Sequence, residues 1–177
     1  EYVPLGKWLP FMKWLTPIDG GFTPGAGPVP FVTESPHANI SALICFEDAF
    51  PHYAREHVAT DTDFLLNLTN DGWFGKKAAQ WQHAVNALFR AVENGLPIVR
   101  CTNNGLTCWA DQYGRLRKIF SNDGGDVYGP GYMIAEIPLL APGEKRAPTF
   151  YNEHGDWFGW SCVAVAIGFL LLSRKKS

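Results

Sequence analysis

The sequence predicts an α/β fold with a parallel sheet, on the evidence of two short apolar runs and the segment between them. The first run, Ile40 to Ile44, is rich in small and β-branched residues, and Phe64 to Leu68 is equally apolar. Pro51 opens the intervening segment, which predicts a short helix over 51–58. Two strands joined by a helix imply a parallel βαβ unit.

A thiol and two acids follow the first strand directly, as Cys45, Glu47 and Asp48. In open α/β sheets, ligands bind outside the carboxyl ends of the strands, so Cys45 lies where a nucleophile is useful. The alternative is an inert core cysteine, which is a common environment for a thiol. The two acids just after Cys45 favour the nucleophile.

The second strand ends in a polar, glycine-containing turn over 69–75 that includes Trp73 and Phe74. Because parallel neighbours end on the same edge of a sheet, we expect this turn beside Cys45. Its two aromatic side chains would then wall a pocket for an acyl chain. The alternative is a pair of rings that plugs the sheet edge.

The clearest helix is predicted over 78–94, closed by Gly95 and Pro97. Its core-facing stripe is predicted from apolar residues at helical spacing, which are Trp81, Val85, Leu88 and Val92. His83 lies on the same helix, and we interpret it as a hydrogen-bonded structural residue because position alone is weak evidence of chemistry.

Further strands are predicted over 98–102, 106–110, 116–120 and 132–137, with a hairpin-type turn at 103–105 and another turn over 112–115. Arg100, in the first of these strands, either faces the site as a cation or forms a buried ion pair. The sequence leaves both possibilities open.

The first 15 residues include an aromatic segment with Trp8, Phe11 and Trp14, interrupted by a proline and two lysines. A loop that touches a bilayer would use such rings, and a core-packing arm is the alternative. The chain starts without an initiator Met or a signal-peptide pattern, so we expect it to begin inside a larger protein. Gly and Pro over 16–30 predict a loop.

The C-terminal segment over 157–172 contains no charge, begins with tryptophans and precedes a basic cluster at 174–176. These features predict a transmembrane helix, although the uncharged span is slightly shorter than the roughly 20 residues that cross a bilayer. A buried terminal helix is the alternative, which the lack of a polar face disfavours. We therefore divide the chain into a catalytic portion over 1–149 and a juxtamembrane and transmembrane portion over 150–177.

Composition argues against several classes of function. A net charge of −2, with no basic run outside the last few residues, disfavours nucleic-acid binding. The four cysteines form no CxxC pair and the histidines no HExxH motif, so we expect neither a disulfide framework nor a metal site. Nothing in the sequence indicates a cofactor.

Five ordered segments together resemble the bacterial apolipoprotein N-acyltransferases, membrane members of the nitrilase (carbon–nitrogen hydrolase) superfamily. They are EYVPLG, ICFED, LTNDGWFG, the block QWQHAVNALFRAVENGLPIVRCTNNG and the terminal membrane helix. The resemblance covers nearly the whole chain and implies a partial nitrilase-like αββα sandwich followed by a C-terminal transmembrane helix. It also implies that an acyl chain moves from a phospholipid, through a Cys thioester, to the N-terminal amino group of a lipidated apolipoprotein.

The resemblance assigns roles by position. Cys45 resembles the nucleophile of the family, and Glu47 and Glu1 resemble two acids near its site, Glu1 on the substrate-binding side. Substrate-contacting loops are implied at Trp73 and Phe74 and at Trp8, Phe11 and Trp14.

Residue chemistry adds two points about the nucleophile. The backbone N–H of Phe46 is available to an oxyanion hole. In extended geometry Cys45 and Glu47 project from one face, where a carboxylate disfavours the thiolate, so Glu47 alone is a poor activator.

If the terminal helix spans, the positive-inside bias places the basic end in the cytoplasm and the catalytic portion on the periplasmic side of the inner membrane. Two other functions remain open. One is a non-catalytic, lipid-binding remnant of the fold, and the other, less well supported, is a membrane-tethered amidase.

The family supplies a Glu base and a Lys upstream of the EYVP segment, and neither position exists in these 177 residues. We therefore expect the 177-residue chain alone to be inactive, and its intact mass should not change on incubation with phospholipid. An added acyl mass that is absent from a Cys45→Ala chain would contradict this expectation.

Overall fold

The computed structural model describes residues 25–76 and 78–174. Its strands are β1 (Phe31–Glu34), β2 (His37–Ile44), β3 (Phe64–Asn70), β4 (Ile98–Asn103), β5 (Cys108–Ala110) and β6 (Leu116–Ile119). Its α-helices are α1 (Pro51–His57), α2 (Ala78–Asn94), α3 (Phe150–His154) and α4 (Trp157–Arg174). Two 3-10 helices follow β2 and β3, and we call them the Cys45 turn (Cys45–Ala49) and the Trp73 turn (Asp71–Phe74).

The six strands form one mixed sheet in chain order. β2, β3 and β4 are parallel, which confirms the predicted βαβ unit, and β1, β5 and β6 each pair antiparallel with a neighbour. In the register Ile44 pairs with Leu68, and Leu68 pairs with Cys101. The carboxyl ends of all three parallel strands therefore lie along one edge.

The helical layer covers one face of this sheet. α1 and α2 pack on each other, and α1 also packs against β2 and α2 against β4. The core between α2 and the sheet contains Leu65, Ala87, Ala91, Leu96, Ile98 and Ala110. Because the helix contributes alanines, its backbone lies close to the sheet. The described part thus consists of one mixed sheet with one helical layer on it.

The predicted core stripe of α2 is wrong. Trp81, Val85 and Val92 are 45%, 42% and 49% exposed, and only Leu88 of the predicted set packs against the core. The side of α2 that meets the sheet is instead made of alanines and polar residues, namely Gln80, His83, Ala84, Ala87, Arg90, Ala91 and Asn94. The periodicity of the sequence identified an apolar face of α2. The opposite, polar face is the buried one, because its side chains form hydrogen bonds with buried partners.

Two further differences concern strands. The segment 132–137 alternates between exposed and half-buried residues as a strand would, but it forms no ladder with any described strand. β1 was not predicted, and it pairs with β2 as a hairpin. The aromatic segment predicted to touch a bilayer falls in residues 1–24, outside the described residues.

The C-terminal helix agrees with the sequence prediction. α4 has 18 residues and a mean hydropathy of 1.5, and none of it is buried against the rest of the described chain. By length and composition it is able to cross a membrane. The basic end at 175–177 lies outside the described residues.

The short helix α3 connects α4 to the rest of the described chain. Arg55 of α1 donates from Nε to the carbonyl oxygen of Asn152 at 2.7 Å, which satisfies a carbonyl near the end of α3. Asn152 donates from Nδ2 to Asn94 Oδ1 at 2.7 Å, and Thr149 Oγ1 donates to the carbonyl of Glu93. The end of α2 and α1 therefore both hold α3.

The two sides of α2 should respond differently to substitution. Ala87 is 1% exposed, so Ala87→Leu overpacks the core and should reduce the free energy of unfolding by about 1–3 kcal/mol. Phe89 is 57% exposed, so Phe89→Ser should change it by no more than about 0.5 kcal/mol. Chemical unfolding in detergent measures both, and the reverse order of effects would contradict this assignment of faces.

Candidate active site

Cys45 lies where β2 ends and the chain turns. Its φ of 53° is in the left-handed region, which is uncommon for a residue with a side chain. Such strained positions persist when the surrounding structure determines them, and they cluster at functional sites. The residue is half-buried, and its thiol is free. Cys45 is therefore presented at the carboxyl edge of the sheet and is not sealed in the core.

Glu47 takes a different place from the one that extended geometry predicts. The chain enters the 3-10 helix at Cys45, so side chains two positions apart point in different directions. The Glu47 carboxylate accepts the N–H of Ile44 at 2.7 Å and thereby caps the turn. The expectation that Cys45 and Glu47 share one face is wrong.

Phe46 contributes both backbone and side chain to this edge. As the second residue of the Cys45 turn, it has an N–H with no partner inside the helix, as helix geometry requires. Its ring is 46% exposed and lies 5.5 Å from the ring of His83.

The Trp73 turn lies next to the Cys45 turn, as predicted for neighbouring parallel strands. Trp73 is 75% exposed and Phe74 is 37% exposed. The Phe74 ring meets the His83 ring edge-on, with centroids 6.0 Å apart. Phe46 and Phe74, one from each turn, therefore flank the same histidine.

Below the two turns lies a ring of four buried charged side chains, which we call the charge ring: Asp48, Asp71, His83 and Arg100. Arg100 donates from Nη1 to Asp48 Oδ2 and from Nη2 to Asp71 Oδ2, both at 2.7 Å. His83 Nδ1 is 2.8 Å from Asp71 Oδ1, and Nε2 is 2.9 Å from Asp48 Oδ1. Each cation therefore contacts both carboxylates.

Two more polar side chains connect the charge ring to the backbone of the Cys45 turn. Asn67 accepts from Arg100 Nη1 at 2.8 Å and donates from Nδ2 to the carbonyl of Cys45 at 3.0 Å. Arg90 donates from Nη1 to the carbonyl of Asp48 at 2.9 Å. Both carbonyl groups are thus satisfied by buried donors.

The hairpin turn at 103–105 closes over the charge ring. Gln80 donates from Nε2 to the carbonyls of Asp71 and Asn104. A Cβ atom at Gly105 would lie 2.6 Å from Asp71 Oδ2, so only glycine fits this close approach.

Electrostatics in this site favour charged forms. Burial would raise the pKa of Asp71, but the hydrogen bond from His83 and the charge of Arg100 outweigh burial and lower it. Burial would likewise lower the pKa of His83, but its contacts with Asp48 and Asp71 raise it to about 9. His83 is therefore a cation at neutral pH.

Comparison with known proteins identifies the family. The sequence profile of the carbon–nitrogen hydrolases matches residues 11–139. The chain belongs to the carbon–nitrogen hydrolase family. Its fold is therefore the α/β fold of the nitrilase superfamily.

Curated relatives cover the whole chain. Proteins named apolipoprotein N-acyltransferase from Geobacter metallireducens and Rickettsia typhi are 39% and 34% identical over 100% and 97% of this chain, which is 32% of each relative. One from Vibrio cholerae is 39% identical over 99% of this chain and 34% of its own length. The chain thus spans about a third of the length of the relatives that it matches.

A solved structure also matches, the amidase of Nesterenkonia AN1 from the nitrilase superfamily. It is 20% identical, with a TM-score of 0.44 over 56% of this chain and 40% of the amidase.

The structure brings together some of the predicted site residues and leaves others outside. Cys45, Phe46, Trp73 and Phe74 lie on the two adjacent turns. Glu1, Trp8, Phe11 and Trp14 lie outside the described residues. Within 25–76 and 78–174, no group of three or more His, Cys, Asp or Glu side chains is placed to hold a metal ion.

The charge ring was only partly foreseen. Arg100 proves to be the partner in buried ion pairs, one of the two possibilities left open, and His83 is buried and hydrogen-bonded as predicted. The sequence analysis did not predict Asp48 and Asp71 as the partners of Arg100 and His83. The available indication was an arginine and an asparagine inside otherwise apolar strands, Arg100 in β4 and Asn67 in β3.

A cavity of about 500 Å³ lies on the opposite face of the sheet. Its lining includes Phe64, Leu66, Val99, Cys101 and Tyr132, and it does not include Cys45. The sheet face that α1 and α2 leave uncovered borders this cavity, and Arg100 of the charge ring is also among its lining residues.

The raised pKa of His83 predicts a specific dependence of stability on pH. Because the pKa of His83 is higher in the folded state, its stabilisation is complete below about pH 6.5, the pKa of the unfolded state. The stabilisation is lost as the pH rises through the folded-state pKa of about 9. At one pKa unit per 1.36 kcal/mol, the contribution is about 3 kcal/mol. His83→Gln should therefore lower the melting temperature at pH 6 and weaken its decline between pH 6.5 and 9.

The control is His37→Gln, because His37 is exposed on β2. It should keep the melting profile of the unsubstituted protein. A His83→Gln profile parallel to that of the unsubstituted protein over this range would contradict the prediction.

Proposed function

We propose that this chain is the nucleophile-bearing part of an apolipoprotein N-acyltransferase. In this proposal Cys45 takes a fatty acyl chain from a phospholipid as a thioester and passes it to the N-terminal amino group of the diacylglyceryl cysteine of an apolipoprotein. Support comes from the relatives of that name, which match the chain over nearly its whole length.

One observation carries the proposal: a half-buried cysteine with a free thiol at the end of a parallel strand, on a backbone with positive φ. This placement puts the cysteine at the carboxyl edge of the sheet, while the Asn67 side chain holds its backbone carbonyl. Exposed aromatic side chains on the neighbouring turn, Trp73 above all, offer the apolar contact that an acyl chain requires.

The chemistry divides into two acyl transfers. In the first, a base takes the proton of the Cys45 thiol, the thiolate attacks the ester carbonyl carbon and a C–S bond forms. The C–O bond then breaks, and the lysophospholipid leaves with the proton that the base returns to it. In the second, the neutral amine attacks the thioester, a C–N bond forms, and the thiolate departs as the amine proton passes to a base. Each tetrahedral intermediate has an oxyanion, for which we assign the N–H of Phe46 as a donor.

The remaining site residues are assigned either as substrate contacts or as support for the nucleophile. We place Trp73 and Phe74 against the acyl chain, and the first 14 residues, with Glu1, Trp8, Phe11 and Trp14, against the substrates at the lipid surface. Glu47 supports the nucleophile by capping its turn, since its carboxylate accepts the Ile44 N–H.

We also propose the arrangement in the membrane. α4 and the residues around it, 150–177, anchor the protein in the bacterial inner membrane, and the catalytic portion over 1–149 lies on the periplasmic side. The phospholipid donor is a membrane component, and the acceptor is itself lipidated, so both substrates reach the site from the bilayer.

Replacement of the nucleophile tests the proposal. In the natural full-length protein, Cys45→Ala should abolish the acyl-enzyme, and with it transfer to an apolipoprotein peptide, because no other sulfur lies at the end of β2. Intact-mass spectrometry after incubation with phospholipid measures the acyl-enzyme directly. Expression and membrane insertion should not change.

Cys101→Ala is the matched control, because Cys101 is also a free cysteine, and a more exposed one, but lies in the middle of β4. It should keep the acyl-enzyme at the level of the unsubstituted protein. Acyl transfer that persists in Cys45→Ala would reject the nucleophile assignment.

A further inference from the structure

The charge ring joins two turns that no backbone hydrogen bond of the sheet connects. Asp48 belongs to the Cys45 turn and Asp71 to the Trp73 turn, whereas His83 comes from α2 and Arg100 from β4. None of the four takes part in the acyl transfers described above. Their side chains are at most 2% exposed, so the charges are out of contact with bulk water.

Burying four charges costs free energy unless each charge lies close to an opposite one. The two cations meet the four carboxylate oxygens of Asp48 and Asp71 at 2.7 to 2.9 Å. Separation of the two turns would leave carboxylates unpaired in a dry interior. The cost of separation therefore keeps the turns together.

The geometry at His83 indicates where its protons are. A neutral imidazole has one N–H, but both ring nitrogens of His83 face carboxylate oxygens. Nδ1 is also 3.0 Å from Arg100 Nη2. If Nδ1 accepted a hydrogen bond from Arg100, its lone pair would lie beside the Asp71 carboxylate. Arg100 Nη2 already donates to Asp71 Oδ2. An imidazolium donates from Nδ1 to Asp71 Oδ1, and the 2.9 Å approach of Nε2 to Asp48 Oδ1 is an ion-pair contact without hydrogen-bond geometry.

The charge balance of the ring agrees with this protonation. Two carboxylates and two cations sum to zero, whereas a neutral His83 leaves one uncompensated negative charge. The other groups that face His83 are the rings of Phe46 and Phe74, which carry no charge. Within the described residues, Asp48, Asp71 and Arg100 are the charged groups in contact with it.

The ring also reaches the backbone of the nucleophile. Arg100 holds Asn67, and Asn67 donates to the carbonyl of Cys45. A positive φ at Cys45 requires such external support, because an unsupported chain relaxes to a common backbone conformation. Through one intervening amide, Arg100 thus acts on the conformation that presents the sulfur.

We propose that His83 and Arg100 are positioning residues that lock the Cys45 turn and the Trp73 turn at one fixed separation. The sulfur and the aromatic wall of the pocket then keep a constant distance through both acyl transfers. This inference rests on the proposed function in one respect, that Cys45 is the nucleophile. The lock itself follows from the contacts of the ring.

The first measurement is hydrogen–deuterium exchange in the full-length protein in detergent, which requires no acyl transfer. In His83→Gln and in Arg100→Lys, amides of 45–49 and 71–74 should exchange at least tenfold faster, both turns together, while β3 and the middle of α2 keep their protection. Arg117→Lys is the matched control, since Arg117 pairs with Asp111 outside the site, and both turns should keep their rates.

The unsubstituted protein gives a second measurement that does not depend on the folding of any variant. When the pH rises from 7 to 10, exchange at both turns, corrected for the intrinsic rate, should accelerate as His83 loses its proton near pH 9. In His83→Gln this acceleration should be absent. Turns that keep constant corrected rates across this range would overturn the lock.

The third measurement addresses positioning during the reaction. At saturating phospholipid, His83→Gln and Arg100→Lys should form the acyl-enzyme at least tenfold more slowly, with little change in the phospholipid concentration that gives half the maximal rate. Rates that fall only in proportion to the folded fraction would assign the ring a purely structural role and overturn the proposal. If the unsubstituted protein forms no acyl-enzyme, the proposed function fails, while the exchange measurements still decide the lock.

Discussion

The pairing of Arg100 with two aspartates in a dry interior is the constraint on which the candidate active site depends. A guanidinium is always charged and offers donors in a fixed fork, so it needs acceptors in a defined plane. Asp48 and Asp71 meet this requirement from the ends of two different strands. The order of the parallel strands, with β3 between β2 and β4, places both carboxylates within reach of one arginine.

The sequence was sufficient for most local elements, although not for β1, and for the parallel arrangement of the centre. Apolar runs of strand length, Pro51 at a helix start and Gly95 at a helix end act within a few residues, so the sequence displays them directly. The inner side of α2 was assigned wrongly, because the partners of its polar side chains come from distant parts of the chain. Burial of His83 depends on Asp48, Asp71 and Arg100, and no local pattern reports such contacts. Arg90 pairs with Glu93 of the same helix, but it also donates to the carbonyl of Asp48.

For the site as well, the features that depend on local sequence were predicted, and those that depend on other parts of the structure were not. The place of Cys45 follows from where a strand ends, and the neighbouring turn follows from parallel pairing, so both could be inferred. The side of the chain to which Glu47 points depends on whether residue 45 continues the strand or enters a 3-10 helix, and apolar periodicity does not distinguish these. The extended segment 132–137 has the alternation of a strand, but a ladder also needs a partner.

Gly105 extends the sensitivity of the site to a hairpin sixty residues beyond Cys45 in the chain. A single methyl group there would lie 2.6 Å from Asp71 Oδ2 and 2.7 Å from Asp71 Cβ. The Asp71 carboxylate cannot move away without losing contacts, because Arg100 and His83 hold its two oxygens. In evolutionary terms, even a change of this codon to alanine would displace Asp71 from its partners, so this hairpin turn is under the same constraint as the candidate active site.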